Sequence, residues 1–247
     1  MLSSSDWVFI TVTFLLAGAV KGMTGMGLPT VSMGILAGFM SPLSAASLLL
    51  IPSFVTNVWQ LTTGPNFAAL FARLWPMMLG IVAGTLAGLG LLTSTNTPWP
   101  TVGLGATLAV YALASLLARP FSVPPRVERW LSPLVGLMTG LITGATGVFV
   151  IPAVPYLQAL DLPKDDLIQA LGLSFTISTV VLAAGLAAHG ALYVGNIATS
   201  ALAVVPSVSG MWLGTAIRGR ISGPTFRRGF LCCLALLGLE LMIRPLL

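Results

Sequence analysis

Long apolar runs dominate the chain. They fall at about 7–22, 27–40, 43–62, 75–93, 99–118, 131–145, 147–160, 166–188, 192–213 and 226–243. A spanning helix takes about 20 apolar residues. A transmembrane barrel would instead alternate apolar and polar positions. Pro42, Gly64-Pro65, Pro98-Trp99-Pro100 and the stretch from Pro120 to Pro125 punctuate the runs, as turn formers do between elements. Trp7, Trp59, Trp75, Trp99 and Trp130 sit near run ends, where indoles favour the bilayer interface. The pattern predicts an all-α integral membrane protein of about eight to ten transmembrane segments.

Two pairs of runs are short. Segments 7–22 and 27–40 would reach only about 24 and 21 Å as helices, below a hydrocarbon core of about 30 Å. Segments 131–145 and 147–160 are comparably short. Each pair meets at a glycine-rich stretch, Gly22-Met-Thr-Gly-Met-Gly-Leu-Pro29 in the first and Gly140-Leu-Ile-Thr-Gly-Ala-Thr-Gly147 in the second, with Pro152 beyond. Gly18 and Gly22 match Gly136 and Gly140 at an offset of 118, and Thr24-Gly25 matches Thr143-Gly144 at an offset of 119. Such self-similarity points to two halves: a first transmembrane repeat over 1–118, a basic linker over 119–130 and a second repeat over 131–247.

Composition agrees. Of 247 residues, 56% are hydrophobic and 7% charged, against about 25% charged in a soluble domain. A soluble globular enzyme and a disordered chain are both excluded. The net charge of +5 reads as basic loops on one membrane face rather than a nucleic-acid surface. If each short pair enters and returns to one side, the second half is inverted. One face then collects Arg73, Arg119, Arg126, Arg129 and Lys164, together with Arg218, Arg220, Arg227 and Arg228. The positive-inside rule makes that face cytoplasmic and both termini periplasmic. Residues 1–6 have no basic n-region, so a cleaved signal peptide is not expected.

The paired breaks are the strongest chemical signal. Irregular backbone at membrane depth is tolerated where it is buried in protein or lines a wet cavity, and a restarting helix offers N–H groups to an anion. Pro29 suits such a first turn. The expected substrate-binding set from the breaks is Thr24, Gly25 and Gly27 in the first half, and Thr143, Gly144, Thr146 and Gly147 in the second. Lys21 lies inside an apolar run with no acid nearby in sequence, so an anionic substrate is an attractive partner; snorkelling to the interface is the ordinary alternative. Asn57 and Gln60 share a helix face. Gln169 and Ser174 fall in the corresponding segment, followed by Thr176 and Ser178. Small residues and amides of this kind also serve helix packing.

Other residues read as structural. Glu240 precedes Arg244 by four, the favourable helical ion-pair order. Asp165 and Asp166 open a helix. His189 falls between two spans. Adjacent Cys232 and Cys233 give no disulfide framework or metal spacing. No cofactor and no metal site are expected. Serine-hydrolase, zincin and P-loop motifs are absent from the sequence, so the chain reads as a non-enzyme.

At these residues the chain resembles the sulfite exporter TauE/SafE family, also called the toluene sulfonate uptake permease family. Lys21-Gly-Met-Thr-Gly-Met-Gly-Leu-Pro29 and Leu50-Ile-Pro-Ser-Phe-Val-Thr-Asn-Val-Trp-Gln60 look like its first repeat. Thr143-Gly-Ala-Thr-Gly-Val-Phe-Val-Ile-Pro152, Pro155-Tyr-Leu-Gln158 and Gln169-Ala-Leu-Gly-Leu-Ser-Phe-Thr176 look like its second. The second break reads Gly-Ala-Thr-Gly where many members carry three glycines. The resemblance implies secondary transport of a small anion such as sulfite or an organosulfonate, by alternating access, in the bacterial inner membrane. The expected partners are that anion and the lipid bilayer, with no nucleic acid and with a homodimer left open. An anion channel or a non-transporting membrane subunit are the alternatives.

Overall fold

Apolar runs capped by proline, serine and glycine fold into helices throughout. The computed structural model describes residues 4–94, 97–117, 121–192, 194–218 and 223–246, and among them there is no strand. The first half contains α1 (Ser4–Thr24), α2 (Leu28–Leu36), α3 (Pro42–Thr62), α4 (Phe67–Leu92) and α5 (Trp99–Leu117). The second contains α6 (Pro125–Thr146), α7 (Ala153–Gln158), α8 (Lys164–Ala188), α9 (Val194–Leu202), α10 (Val204–Ile217) and α11 (Gly223–Ile243). Six stretches among the described residues are long and apolar enough to cross a membrane: α1, α3, α4, α5, α8 and the run Asn196–Ile217 through α9 and α10. Helices α6 and α11 are of similar length, 22 and 21 residues.

The shortness expected of both members of each pair belongs to one member only. Helices α1 and α6 have 21 and 22 residues, whereas α2 and α7 have 9 and 6. Hydropathy trims helix ends that are polar but still helical, such as Thr24 and the turn holding Arg126, Glu128 and Arg129. Likewise α4 begins at Phe67, eight residues before its apolar run, and takes in Arg73 and Pro76. Arg73 is held by a bidentate pair with Glu128 of α6, at 2.6 and 2.7 Å.

The second break is also displaced. Gly140 and Gly144 lie inside α6, and the helix ends at Gly147 with φ 74°. The first break holds Gly25 at φ 78° and Gly27 at φ 112°. Glycine enters this left-handed region without the Cβ penalty. Both ends are built alike. The Gly25 N–H donates to Lys21 O at 2.7 Å, and the Gly147 N–H to Thr143 O at 2.8 Å. Thr24 and Thr146 each donate to the carbonyl four residues back, Val20 and Ile142, and each accepts the N–H two residues on, Met26 and Val148. The structural counterpart of Thr24-Gly25 is therefore Thr146-Gly147, not Thr143-Gly144.

Glycine stripes join the long helices. Gly80, Gly84 and Gly88 of α4 face Gly136, Gly140 and Gly144 of α6, so closely that a Cβ on any of them would meet the partner's backbone. The facing positions ascend together, so the two helices run parallel. Gly18 and Gly22 of α1 meet Gly210 and Gly214's helix α10 in the same parallel manner, at Ser207, Met211 and Thr215. Helices α5 and α11 meet at Gly105 and Gly238, and α3 meets α8, both in antiparallel sense. Trp59, Trp75, Trp99, Trp130 and Trp212 project outward from the bundle.

One end of the bundle is basic. There the α3–α4 turn meets the start of α8, Arg73 pairs with Glu128, and Arg227 reaches the Ser115 carbonyl near the end of α5. Arg218 closes α10 at this end. Arg119 and Arg220 lie outside the described residues. At the other end Arg244 donates to Gly38 O at 2.9 Å and pairs with Glu240 at 3.7 Å.

Glycine in a helix interior costs roughly 0.5–1 kcal/mol relative to alanine unless close packing requires it. Gly140→Ala is expected to lower the melting temperature in detergent, because its Cβ would press on Thr85 N at 2.6 Å and the Gly84 Cα at 2.9 Å. Gly90→Ala, with nothing within 4 Å of the added carbon, should leave it unchanged or raise it.

Candidate functional site

An amphipathic reading of α3 places Ser53, Thr56, Asn57 and Gln60 on one stripe, at spacings of three and four. All four are buried. The stripe faces α8, which supplies buried Ser174, Ser178 and Thr179. The last turn of α1 adds Lys21, 3% exposed. These side chains form a polar cluster inside an otherwise apolar bundle.

Lys21 Nζ donates to Thr56 Oγ1 at 3.1 Å and to Asn57 Oδ1. Asn57 Nδ2 then donates to Thr179 Oγ1 at 3.3 Å, and Thr179 donates to Phe175 O at 2.7 Å. Thr56 in turn donates its hydroxyl hydrogen bond to Pro52 O at 2.8 Å, the i−4 bond a helical threonine makes. Every donor in this chain points away from Lys21, so it works as a relay of dipoles opposed to the ammonium. An ammonium has three donors, and two are used. Among the described residues Lys21 has no carboxylate partner; the ion pairs there are Arg73–Glu128 and Arg244–Glu240. A lysine charge within a span costs up to about 2.5–3.5 kcal/mol on insertion scales. An interhelical hydrogen bond contributes about 0.6 kcal/mol on average, so two neutral acceptors do not offset that cost.

Further polar atoms on α3 and α8 are left unpaired. Ser53 Oγ, Ser174 Oγ, Ser178 Oγ and Gln60 Oε1 are buried with no hydrogen-bond partner. Buried polar groups are ordinarily paired, and leaving one unpaired costs about 1–3 kcal/mol. Gln60 Nε2 donates to Gly25 O at 2.7 Å, fastening the first break to α3. Gly25 thus sits beside the cluster, and Gly27 caps the start of α2, with Pro29 in its first turn.

Other expected site residues are placed elsewhere. Gln169 Oε1 accepts from Asn66 N at 2.9 Å, and Nε2 donates to Leu61 O and Gly64 O, both at 2.8 Å. Both amide hydrogens hold the α3–α4 turn. Thr143 donates to Thr139 O, and Gly144 lies in the seam with α4. Thr146 and Gly147 form the second helix end, away from any bond to Lys21. Thr176 bonds Gly172 O within its own helix. Nothing in the sequence distinguishes Thr56 and Thr179 from other helical threonines, although Thr56 completes the stripe of Ser53, Asn57 and Gln60.

Asn57→Leu should lower the melting temperature, since it removes one partner each from Lys21 and Thr179 at once. Combining it with Lys21→Met should recover much of the loss, because replacing both members of a buried polar pair is far milder than removing one. A double-mutant cycle by thermal denaturation checks this; additive losses would deny the coupling.

Searches among curated proteins and among solved structures return no match. The sequence profile described as sulfite exporter TauE/SafE matches residues 10–241, which takes in both breaks, the α3 stripe and α8. With that match across almost all of its length, and with six helices suited to crossing a membrane, the chain belongs to the TauE/SafE sulfite exporter family of membrane transporters.

Proposed function

We propose that this transporter is a secondary carrier that moves a small sulfur-containing anion, sulfite or an organosulfonate, by alternating access. The observation that carries the reading is Lys21: a buried ammonium whose partners are neutral, beside four unpartnered polar atoms. An anion docked there would take the third lysine donor and pair with the serine hydroxyls. It would cancel the uncompensated charge as it binds. Lys21, Thr56, Asn57, Gln60, Ser174 and Ser178 form the proposed site, with Gly25 and Gly27 giving the backbone room beside it.

Two inverted halves, α1–α5 and α6–α11, joined through the basic stretch 119–130 whose last six residues open α6, are part of the same proposal. In its support, α1 packs parallel to α10 as α6 does to α4, while α3–α8 and α5–α11 pair antiparallel. Exchanging the two halves maps each of these pairings onto another or onto itself. A two-fold axis lying in the membrane plane produces that pattern, and rocking about it is the usual route to alternating access. The shared basic end would face the cytoplasm of a bacterial inner membrane, leaving both termini periplasmic.

The test is flux of sulfite, a sulfonate and sulfate into proteoliposomes holding the purified chain, with and without a pH gradient. Saturable flux of sulfite or the sulfonate is expected. Lys21→Ala should raise KM at least tenfold, matching the roughly 1.5–3 kcal/mol of a hydrogen bond to a charged group. Lys21→Arg should keep part of the affinity. Undiminished transport by well-folded Lys21→Ala would remove Lys21 from the site, and ohmic conductance far above carrier turnover would favour a channel.

A further inference from the structure

A cavity lies apart from the Lys21 cluster. It encloses about 430 Å³ at the basic end of the bundle, between the broken end of α1 and helices α5, α7, α10 and α11. None of Lys21, Thr56, Asn57 or Thr179 lines it. Its wall is two-sided. Arg218 and Arg227 supply charge, with Thr24, Ser115 and Gln158 as polar neighbours. Met26, Ile151, Val154 and Phe230 supply an apolar floor. Among the described residues no carboxylate lines it. Arg227 spends one N–H on Ser115 O at a long 3.4 Å, so most of its fork is open. Tyr111 donates to Met26 Sδ at 3.4 Å, which holds the thioether in the floor.

Size decides what such a wall can take. Pockets for organic ligands run to about 300–1,000 Å³. A bare oxyanion is only a little larger than a water, whose share of liquid volume is about 30 Å³, and would leave most of the cavity to solvent. A guanidinium pair matches the several-oxygen head of a sulfonate or carboxylate, and the floor matches an apolar body. We infer that this cavity binds an organic anion, its acidic head on Arg218 and Arg227 and its aliphatic or aromatic body against Met26, Val154 and Phe230. This deepens the carrier reading and rests on it: the cavity would be the cytoplasmic-end station for a substrate larger than sulfite. An anionic lipid headgroup carries the same chemistry at its head, so the test must tell the two apart.

The test uses the full chain in nanodiscs of phosphatidylcholine and follows binding of 2-naphthalenesulfonate by its own fluorescence, with protein-free discs subtracted. Saturable binding is expected, weakened at least tenfold by Arg218→Gln and by Arg227→Gln. Ala114→Trp, which fills the cavity from an exposed wall position, should abolish it. Each variant is first required to melt at the wild-type temperature; Ser115→Phe replaces Ala114→Trp if that one fails. Sulfite should compete poorly. Absence of saturable binding, or unchanged affinity in the arginine and filling variants, overturns the inference. So does loss of binding when phosphatidylglycerol is added to the discs, which would assign the cavity to lipid. Sulfite flux that persists without naphthalenesulfonate binding sinks this inference alone. Binding without flux of any anion sinks the carrier reading instead.

Discussion

Close approach of helix backbones is the constraint on which this bundle rests. Between two helices surrounded by lipid there is no hydrophobic drive to associate, so contact must come from packing and hydrogen bonds. The chain meets this with glycines spaced four apart: Gly80, Gly84 and Gly88 against Gly136, Gly140 and Gly144, and Gly18 and Gly22 against α10. Those seams clamp α1 and α6 along their length. Both helices can then stop abruptly at a threonine-glycine end without losing their place, and α1 can hold Lys21 in a fixed position against α3.

The polar cluster is costly by the same physics. Serines and an ammonium buried among leucines weaken a membrane fold unless something recovers the cost. The cluster is also asymmetric in an informative way. Lys21 and Asn57 are bonded, whereas Ser53, Ser174, Ser178 and one oxygen of Gln60 are not. A purely structural network would close on itself, as the Arg73–Glu128 pair does with both carboxylate oxygens engaged. An open network with a cation on one side is what the proposed anion site would use.

How much of this the sequence carried varies with the physics involved. Helical class, segment order, Lys21 and the Asn57–Gln60 face are legible because they depend on local spacing and on the rarity of polar residues in apolar runs. The position of the second break is not. Glycine serves both as a helix end and as a packing residue, and Gly140, Gly144 and Gly147 look alike until α4 is seen packed against the first two. Thr56 and Thr179 escape for a related reason: an ordinary helical threonine bonds its own backbone, and only packing against another helix gives these two a further partner, Lys21 of α1 for Thr56 and Asn57 of α3 for Thr179. Gln169 shows the converse. Its polarity in an apolar segment is conspicuous, yet its bonds all go to a turn that no local pattern places beside it.

Gln169 has a mechanical consequence. With three bonds to Leu61, Gly64 and Asn66, it rivets the turn after α3 to the first turns of α8, and Gly64 has no room for a side chain between them. Helices α3 and α8 therefore cannot slide past one another at this end without breaking all three bonds together. The α1–α2 elbow is tied to α3 by three more bonds, two from Lys21 and one from Gln60. One amide thus makes an anvil of this end of α3 and α8.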